Sequence, residues 1–376
     1  MTSSSRTRIS RDGLAALHAR IRREVELDLI SAAQLAIAYE GEVIECSAFG
    51  GATTDDRFCI FSATKTLTAT ALLPHLADGT IDLTAPVARY VPEFGANGKH
   101  EVSVLQLLTM QGGFPRAVMS RRRWGTSDER LQQIAEWTLE YRAGAHTEYH
   151  AISAHWVIAA LIEAVSGSSY VDLIHERVVA PAGARPVLGP AAYADRSPVT
   201  IRAIGEYPDD ATLAAVYGRP ELVPLPALDT AGFLTLNDPR SWAAAIPGGG
   251  GISTAHDMAL VYQHMLHNNQ GALPDEWLAD ATGTIRNVSV SLSDKVPANR
   301  TLTGYVSGSD GFHDHRWMPD TPRAFGHAGA GGQLNFVDPD SGISFSFLHD
   351  TVNANPTVEF RRASDLHRLL LAAIDR

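Results

Sequence analysis

A serine and a lysine three residues apart, Ser62 and Lys65, head an apolar run in Phe61-Ser62-Ala63-Thr64-Lys65-Thr66-Leu67. On a helix that spacing puts both side chains on one face, where an amine can reach a hydroxyl. A serine hydroxyl is a weak nucleophile until a base within hydrogen-bond reach takes its proton. Lysine is such a base only when neutral, and apolar surroundings favour the neutral amine. The chain is sparing with lysine: of 31 basic residues, only Lys65, Lys99 and Lys295 are not arginine. Arginine keeps its proton in a protein, so the residue type able to do this chemistry is scarce here. A helix beginning at Ser62 would also aim the positive end of its dipole at a developing oxyanion.

Serine and lysine at this spacing also occur by chance, so the rest of a site must be found elsewhere in the chain. Tyr149, in Gly144-Ala145-His146-Thr147-Glu148-Tyr149-His150-Ala151, stands just before a helical pattern. A lone tyrosine is most often a core or rim aromatic. Held near a lysine amine, it can instead relay a proton between the serine and a leaving group. The third element is His327-Ala328-Gly329-Ala330-Gly331-Gly332, directly before an alternating stretch. Glycines there would let a substrate approach a strand edge. A backbone N–H of that segment, with that of Ser62, would form an oxyanion hole.

The elements that must carry these residues are legible from periodicity. Residues 12–29 show a helical stripe, and Gln34–Tyr39 with Val43–Phe49 reads as a β-hairpin about Glu40-Gly41-Glu42. Phe58–Phe61 leads into Ser62, and a buried helix follows to Leu76, with Pro74 expected to kink or end it. Val102–Leu108, Leu131–Leu139 and Ile152–Val165 are helical, the last closed by Gly167. Residues 185–250 lack periodicity and read as a long irregular excursion over a site. Thr254 is placed to cap a helix lined by Met258, Val261, Tyr262, Met265 and Leu266. A second hairpin, Gln333–Val337 with Ile343–His349, and a helix over Thr357–Ile374 close the chain. Strands at both ends with helices between predict an α+β fold: one antiparallel sheet flanked by helices and built from both termini, plus an inserted, mainly helical domain. The expected boundaries are 1–85 with 240–376 for the sheet domain and 86–239 for the insert.

Composition narrows the function further. At 376 residues, 45% hydrophobic and 19% charged, the chain is that of an ordinary globular protein. A formal net charge of −11 argues against nucleic acid and anionic membranes as partners. Arg121-Arg122-Arg123 reads as a solvated loop, with a contact to an acidic substrate as the minor alternative. Cys46 and Cys59 read as free thiols of a reducing compartment, and the polar N-terminus has no signal-like run, so a cytoplasmic protein is expected. The sequons at Asn287 and Asn299 have no meaning without secretion. No G-x-S-x-G occurs, and Gly248–Gly251 lacks the Lys-Ser/Thr of a phosphate loop. His313 and His315 are read as loop residues, and no metal or organic cofactor is expected. Oligomeric state is open, a homo-oligomer included.

The order Ser-x-x-Lys, Tyr, His-x-Gly resembles the class C β-lactamase and penicillin-binding-protein superfamily, whose relatives include family VIII carboxylesterases, D-aminopeptidases and amide hydrolases. Three more stretches are similar to that family: Leu76–Val87, Leu107-Leu108-Thr109-Met110-Gln111-Gly112-Gly113-Phe114-Pro115, and Gly249–Ala259 with its Gly-Gly-Gly-Ile-Ser-Thr core. The likeness runs over roughly residues 30–350. It implies the β-lactamase/transpeptidase-like fold, with Ser62 as nucleophile of an acyl-enzyme, Lys65 as its base or proton partner, and Tyr149 as activator of Ser62 and then of water. It also implies an oxyanion hole from the N–H groups of Ser62 and Ala330, with His327 and Gly329 beside the substrate. Whether Lys65 or Tyr149 is the base stays open.

Departures from the family pattern bear on substrate. Ala151 replaces the asparagine of Tyr-x-Asn, and His327 replaces a lysine, which removes a permanent charge that would attract a carboxylate. Met110-Gln111-Gly112 replaces His-Thr-Ser, read as a packing variation. The expectation is a carboxylic-ester hydrolase acting on small or medium esters or a lactone. Alternatives are an amidase, D-aminopeptidase or weak β-lactamase, an acyltransferase to a metabolite alcohol, and a non-catalytic binding protein. Phe61, Phe114, Trp124, Trp317 and Phe325 hint at an apolar pocket.

Overall fold

The structure, a computed structural model, describes residues 8–217, 230–268, 273–312 and 321–375. Its centre is a six-stranded, wholly antiparallel sheet. In spatial order the strands are Glu42–Gly50, Ala32–Tyr39, Ile343–His349, Leu334–Asp338, Phe325–Gly326 and Tyr305–Val306. The two expected hairpins thus lie side by side, joined where Ala32–Tyr39 pairs with Ile343–His349, Ala36 opposite Ser346. Residues from both ends of the chain share one sheet.

Both faces of the sheet are covered, so alternate residues of a central strand are apolar in opposite directions. Leu35, Ile37, Phe345 and Phe347 pack with Leu17 and Ile21 of the Arg11–Glu26 helix and Leu366 and Leu370 of the Pro356–Ala373 helix. Ala36, Ala38, Val337 and Leu348 join a larger core with Met258, Val261 and Tyr262 of the Ala255–His267 helix. That helix starts where the sequence places its cap: the Thr254 side chain accepts from the Asp257 N–H at 3.1 Å. The same core continues into the middle of the chain, through Leu67, Leu72 and Leu73 of the Thr64–Ala77 helix and Trp156, Ile158 and Leu161 of Ser153–Ser166.

Some elements differ from expectation. The Thr64–Ala77 helix runs to the expected end near Leu76 but is not ended by Pro74, because a proline disturbs only the bonds of the turn before it. Residues 185–250 are not wholly irregular: Asp210–Tyr217, Thr230–Leu234 and Pro239–Ala243 are short helices. Arg202–Ile204, inside the range assigned to the helical insert, pairs in parallel with Thr351–Asn353. Cys46 and Cys59 are free thiols. Among the described residues no single helix is long and apolar enough to cross a membrane.

Candidate active site

The short strand Phe58–Phe61 pairs with Gly251–Ser253 and delivers Ser62 to the turn before the Thr64–Ala77 helix. Ser62 therefore precedes the helix rather than opening it, and Phe61 takes a left-handed φ of 44° to make the turn. Such a φ is costly for an aromatic residue and marks a position fixed by its surroundings. The Thr64 hydroxyl holds the turn, donating to Phe61 O at 2.6 Å and accepting from Gly251 N at 2.9 Å. Any Cβ at Gly251 would lie 2.6 Å from that hydroxyl, so this strand must carry glycine there.

Lys65 is fully buried, with Nζ 3.1 Å from Ser62 Oγ, 2.7 Å from Ala151 O and 2.5 Å from Gly248 O. Burial drives its pKa well below that of an ordinary lysine, and the nearby Arg300 charge lowers it further.

Tyr149 is set by the Leu107–Pro115 stretch, through Met110 and Phe114. Glu148 N donates to Met110 O at 3.2 Å, and His150 Nε2 accepts from Phe114 N at 3.1 Å. The other His150 nitrogen faces Glu148 O at 2.7 Å, which fixes a neutral tautomer, and burial pushes its pKa down to about 4. Those motif residues thus anchor both neighbours of Tyr149 in the chain. The Tyr149 hydroxyl is itself buried without a protein hydrogen bond of normal geometry, although Ser62 lies close enough to favour its ionisation. Burial outweighs that and the pull of Arg300, raising the phenol above its usual pKa. The Lys65 amine sits 5.0 Å from the centre of the Tyr149 ring.

The His327–Gly332 segment is a tight turn rather than an exposed strand edge. Gly329 N donates to Gln333 O at 2.8 Å, and the strand begins at Leu334. Gly329 is needed by the neighbouring chain: a Cβ there would stand 2.4 Å from Ile60 O. That close approach brings Ala330 to the same cavity wall as Ser62. Neither backbone N–H, of Ser62 or of Ala330, has a partner among the described residues.

No signal in the sequence marked Arg300, which the structure brings to the same place. It is buried, its guanidinium centred 5.2 Å from the Tyr149 ring and 5.3 Å from that of Tyr305, with Nη1 3.4 Å from His327 Nε2. His327 Nδ1 faces Ala328 O at 2.7 Å and so carries the proton, leaving Nε2 to accept from Arg300. Burial and the Arg300 charge keep His327 well below its usual pKa, hence neutral. The permanent cation missing at position 327 is therefore supplied from position 300. In the sequence Arg300 appeared only inside a sequon. Both sequon asparagines are buried and bonded, Asn287 to Thr109 O and Thr147 Oγ1, and Asn299 to Ser307 O and Asp310.

Ser62, Tyr149, Arg300, His327 and Ala330 line one cavity of about 860 Å³. Its outer wall is apolar, formed by Val118, Met119, Trp124, Ile152, Phe233 and Leu236. Of the aromatics noted in the sequence, Phe61 and Trp124 line it, and Phe114 and Phe325 belong to the core. Trp317, His313 and His315 lie outside the described residues. Arg121 closes the rim, donating to Thr235 O and stacking over Trp124. The 185–250 excursion does reach the cavity, through Phe233, Leu236 and Gly248. Among the described residues no three His, Cys, Asp or Glu side chains gather to hold a metal.

A sequence model of the Beta-lactamase family matches residues 18–370. The chain belongs to the beta-lactamase family. It is 29% identical over 323 residues to the esterase/beta-lactamase LipL of Mycobacterium tuberculosis, covering 79% of this chain and 70% of LipL. Among solved structures it is similar to a penicillin-binding protein homologue from Caulobacter crescentus, with a TM-score of 0.77, 20% identity and coverage of 98% and 100% of the two chains. A family VIII carboxylesterase superposes with a TM-score of 0.76, at 23% identity and 97% and 99% coverage. The fold is thus β-lactamase/transpeptidase-like, and the protein is a serine hydrolase.

Proposed function

We propose that this beta-lactamase family member is a carboxylesterase working through an acyl-enzyme on Ser62. The hydrogen-bond inventory of Lys65 carries the reading. Two carbonyls, Ala151 O and Gly248 O, can only accept, so they take two N–H bonds from Nζ. A neutral amine has only two, which leaves its lone pair towards Ser62 Oγ at 3.1 Å. Lys65 is then the base. It takes the Ser62 proton as Oγ bonds to the ester carbonyl carbon, and the oxyanion is held by the Ser62 and Ala330 N–H groups. The tetrahedral adduct collapses with loss of the alkoxide, which takes a proton from the Tyr149 phenol, kept protonated by its burial. The Lys65 ammonium returns its proton to the Tyr149 phenolate, restoring both groups. Water then gives a proton to Lys65 as its oxygen bonds to the acyl carbon, and the new adduct expels Ser62 Oγ, which takes the Tyr149 proton. The same Lys65-to-Tyr149 transfer completes the cycle as the acid leaves.

An ester rather than a polar amide suits the apolar outer wall, and Ala151 presents a methyl group to the cavity where an asparagine would offer an amide. The test is hydrolysis of p-nitrophenyl acetate and butyrate by the native protein and by Ser62→Ala. Turnover that vanishes in the variant supports the reading, and equal turnover refutes it. Arg300 favours a second reading, since a fixed cation in the cavity suits a substrate carboxylate. Nitrocefin and D-alanyl amides address it: turnover of these above that of the esters would move the assignment to a β-lactamase or amidase.

A further inference from the structure

A buried charge cluster lies behind the turn that carries Ala330, outside the cavity. Arg362, from the Pro356–Ala373 helix, is 1% exposed, and its Nε donates to Glu24 Oε2 at 2.8 Å. Glu24, on the Arg11–Glu26 helix, also accepts from Arg20 at 2.5 Å. The Nη1 group of Arg362 donates to Gly331 O at 3.3 Å and stands 3.0 Å from His349 Nε2. His349 Nδ1 accepts from Thr351 N at 3.2 Å, so its proton is on Nε2. The His349 ring lies beside the Gly331 and Gly332 carbonyls, with Nε2 against the Arg362 guanidinium. A donor from one element and a ring from another thus meet at one turn.

The turn needs such restraint. Gly331 and Gly332 follow Ala330 with φ of 81° and 88°, and consecutive glycines have the least conformational bias of any pair. Only two bonds within the turn close it, Gly329 N to Gln333 O and Gly332 N to Gly329 O at 3.2 Å. A buried ion pair is a poor source of stability compared with apolar packing, so its retention calls for another role. We propose that Arg362 and His349 are positioning residues that clamp the Gly331–Gly332 turn and thereby hold the Ala330 N–H in the oxyanion hole. This rests on the reading of Ser62 and Ala330 given above.

Two variants test it, Arg362→Met combined with Glu24→Gln, which removes the charge pair together, and His349→Phe, which keeps a ring and loses its nitrogens. Active sites are counted by fluorophosphonate labelling at end point, so that kinetics are expressed per competent site. The expected result in both is a kcat lower by about 10- to 100-fold, below the loss seen when a whole oxyanion donor is removed. KM stays within about twofold, and the inhibition constant of an arylboronic acid, whose Ser62 adduct carries the oxyanion, rises by the same factor as kcat falls. A purely structural role would lower the number of competent sites and leave each at native speed. Native kcat and boronate affinity per site in either folded variant would overturn the clamp. A native protein that is neither labelled at Ser62 nor inhibited by the boronate would overturn the hydrolase reading, and the clamp with it.

Discussion

Lys65 and Lys99 are both buried, neither has a carboxylate partner among the described residues, and both donate to backbone carbonyls. Their surroundings nevertheless push them to opposite uses. Lys99 faces three carbonyls, Ala96 O at 2.7 Å, Ala135 O at 3.4 Å and Trp137 O, enough for all three hydrogens of an ammonium. Two of these lie at the end of the Ser127–Glu136 helix, where the dipole favours a cation. Burial lowers its pKa only to about 8. Lys65 faces two carbonyls and a hydroxyl, sits in the first turn of its helix where the dipole opposes a cation, and has Arg300 nearby. On the proposed reading one lysine is a staple and the other a base; each has three partners, and the kind of partner, the helix end and the Arg300 charge separate them.

That contrast is open to attack by substitution. Lys65→Met should lower kcat/KM by about 10³- to 10⁴-fold while the fold persists, measured with p-nitrophenyl butyrate beside circular dichroism. Tyr149→Phe, which removes only the phenolic proton, should cost about 10²-fold in the same assay. A loss in Tyr149→Phe larger than in Lys65→Met would transfer the base to the tyrosine. Because Lys65 must be neutral to act, kcat/KM should rise with pH along a limb lying below the ordinary lysine pKa. Arg300→Gln removes a neighbouring positive charge, so the amine keeps its proton to higher pH and the limb should move up by on the order of one unit. A limb unmoved in Arg300→Gln would remove Arg300 from the electrostatics of the base. Lys99→Met should leave kcat per labelled site unchanged and lower stability by about 2 kcal/mol, since its carbonyl partners lose their donor. A denaturant titration checks the second part, and an equally inactive Lys99→Met would erase the distinction.

The same contrast explains what the sequence could convey. Elements with strong periodicity or a capping residue, such as the hairpin at Gln34–Phe49, the Thr254 cap and Gly167 after Ser153–Ser166, are local and were legible. Ser62 and Lys65 were legible because their contact is also local, three residues along one turn. The acceptors that separate Lys65 from Lys99 come from positions 86 and 183 residues away, and no local pattern announces them. Arg300 is the extreme case. It is held by an irregular segment fastened to the segment before Tyr149 through Leu292 N to Thr147 O at 2.8 Å and Asn287 to Thr147 Oγ1. The glycines near Ala330 were visible as glycines, but their reason, the backbone of Ile60 behind Gly329, is a tertiary one.

A chain with three lysines permits a direct reading of each amine. Lysine labelled with 13C at Cε and 15N at Nζ gives three side-chain signals, assigned by Lys99→Met and Lys295→Met, with exposed Lys295 as the internal reference. A pH titration of the free protein should find Lys65 losing its proton well below the ordinary lysine range and Lys99 at about 8. A Lys65 signal that remains that of an ammonium above pH 9 would contradict the assignment of Lys65 as the base for Ser62.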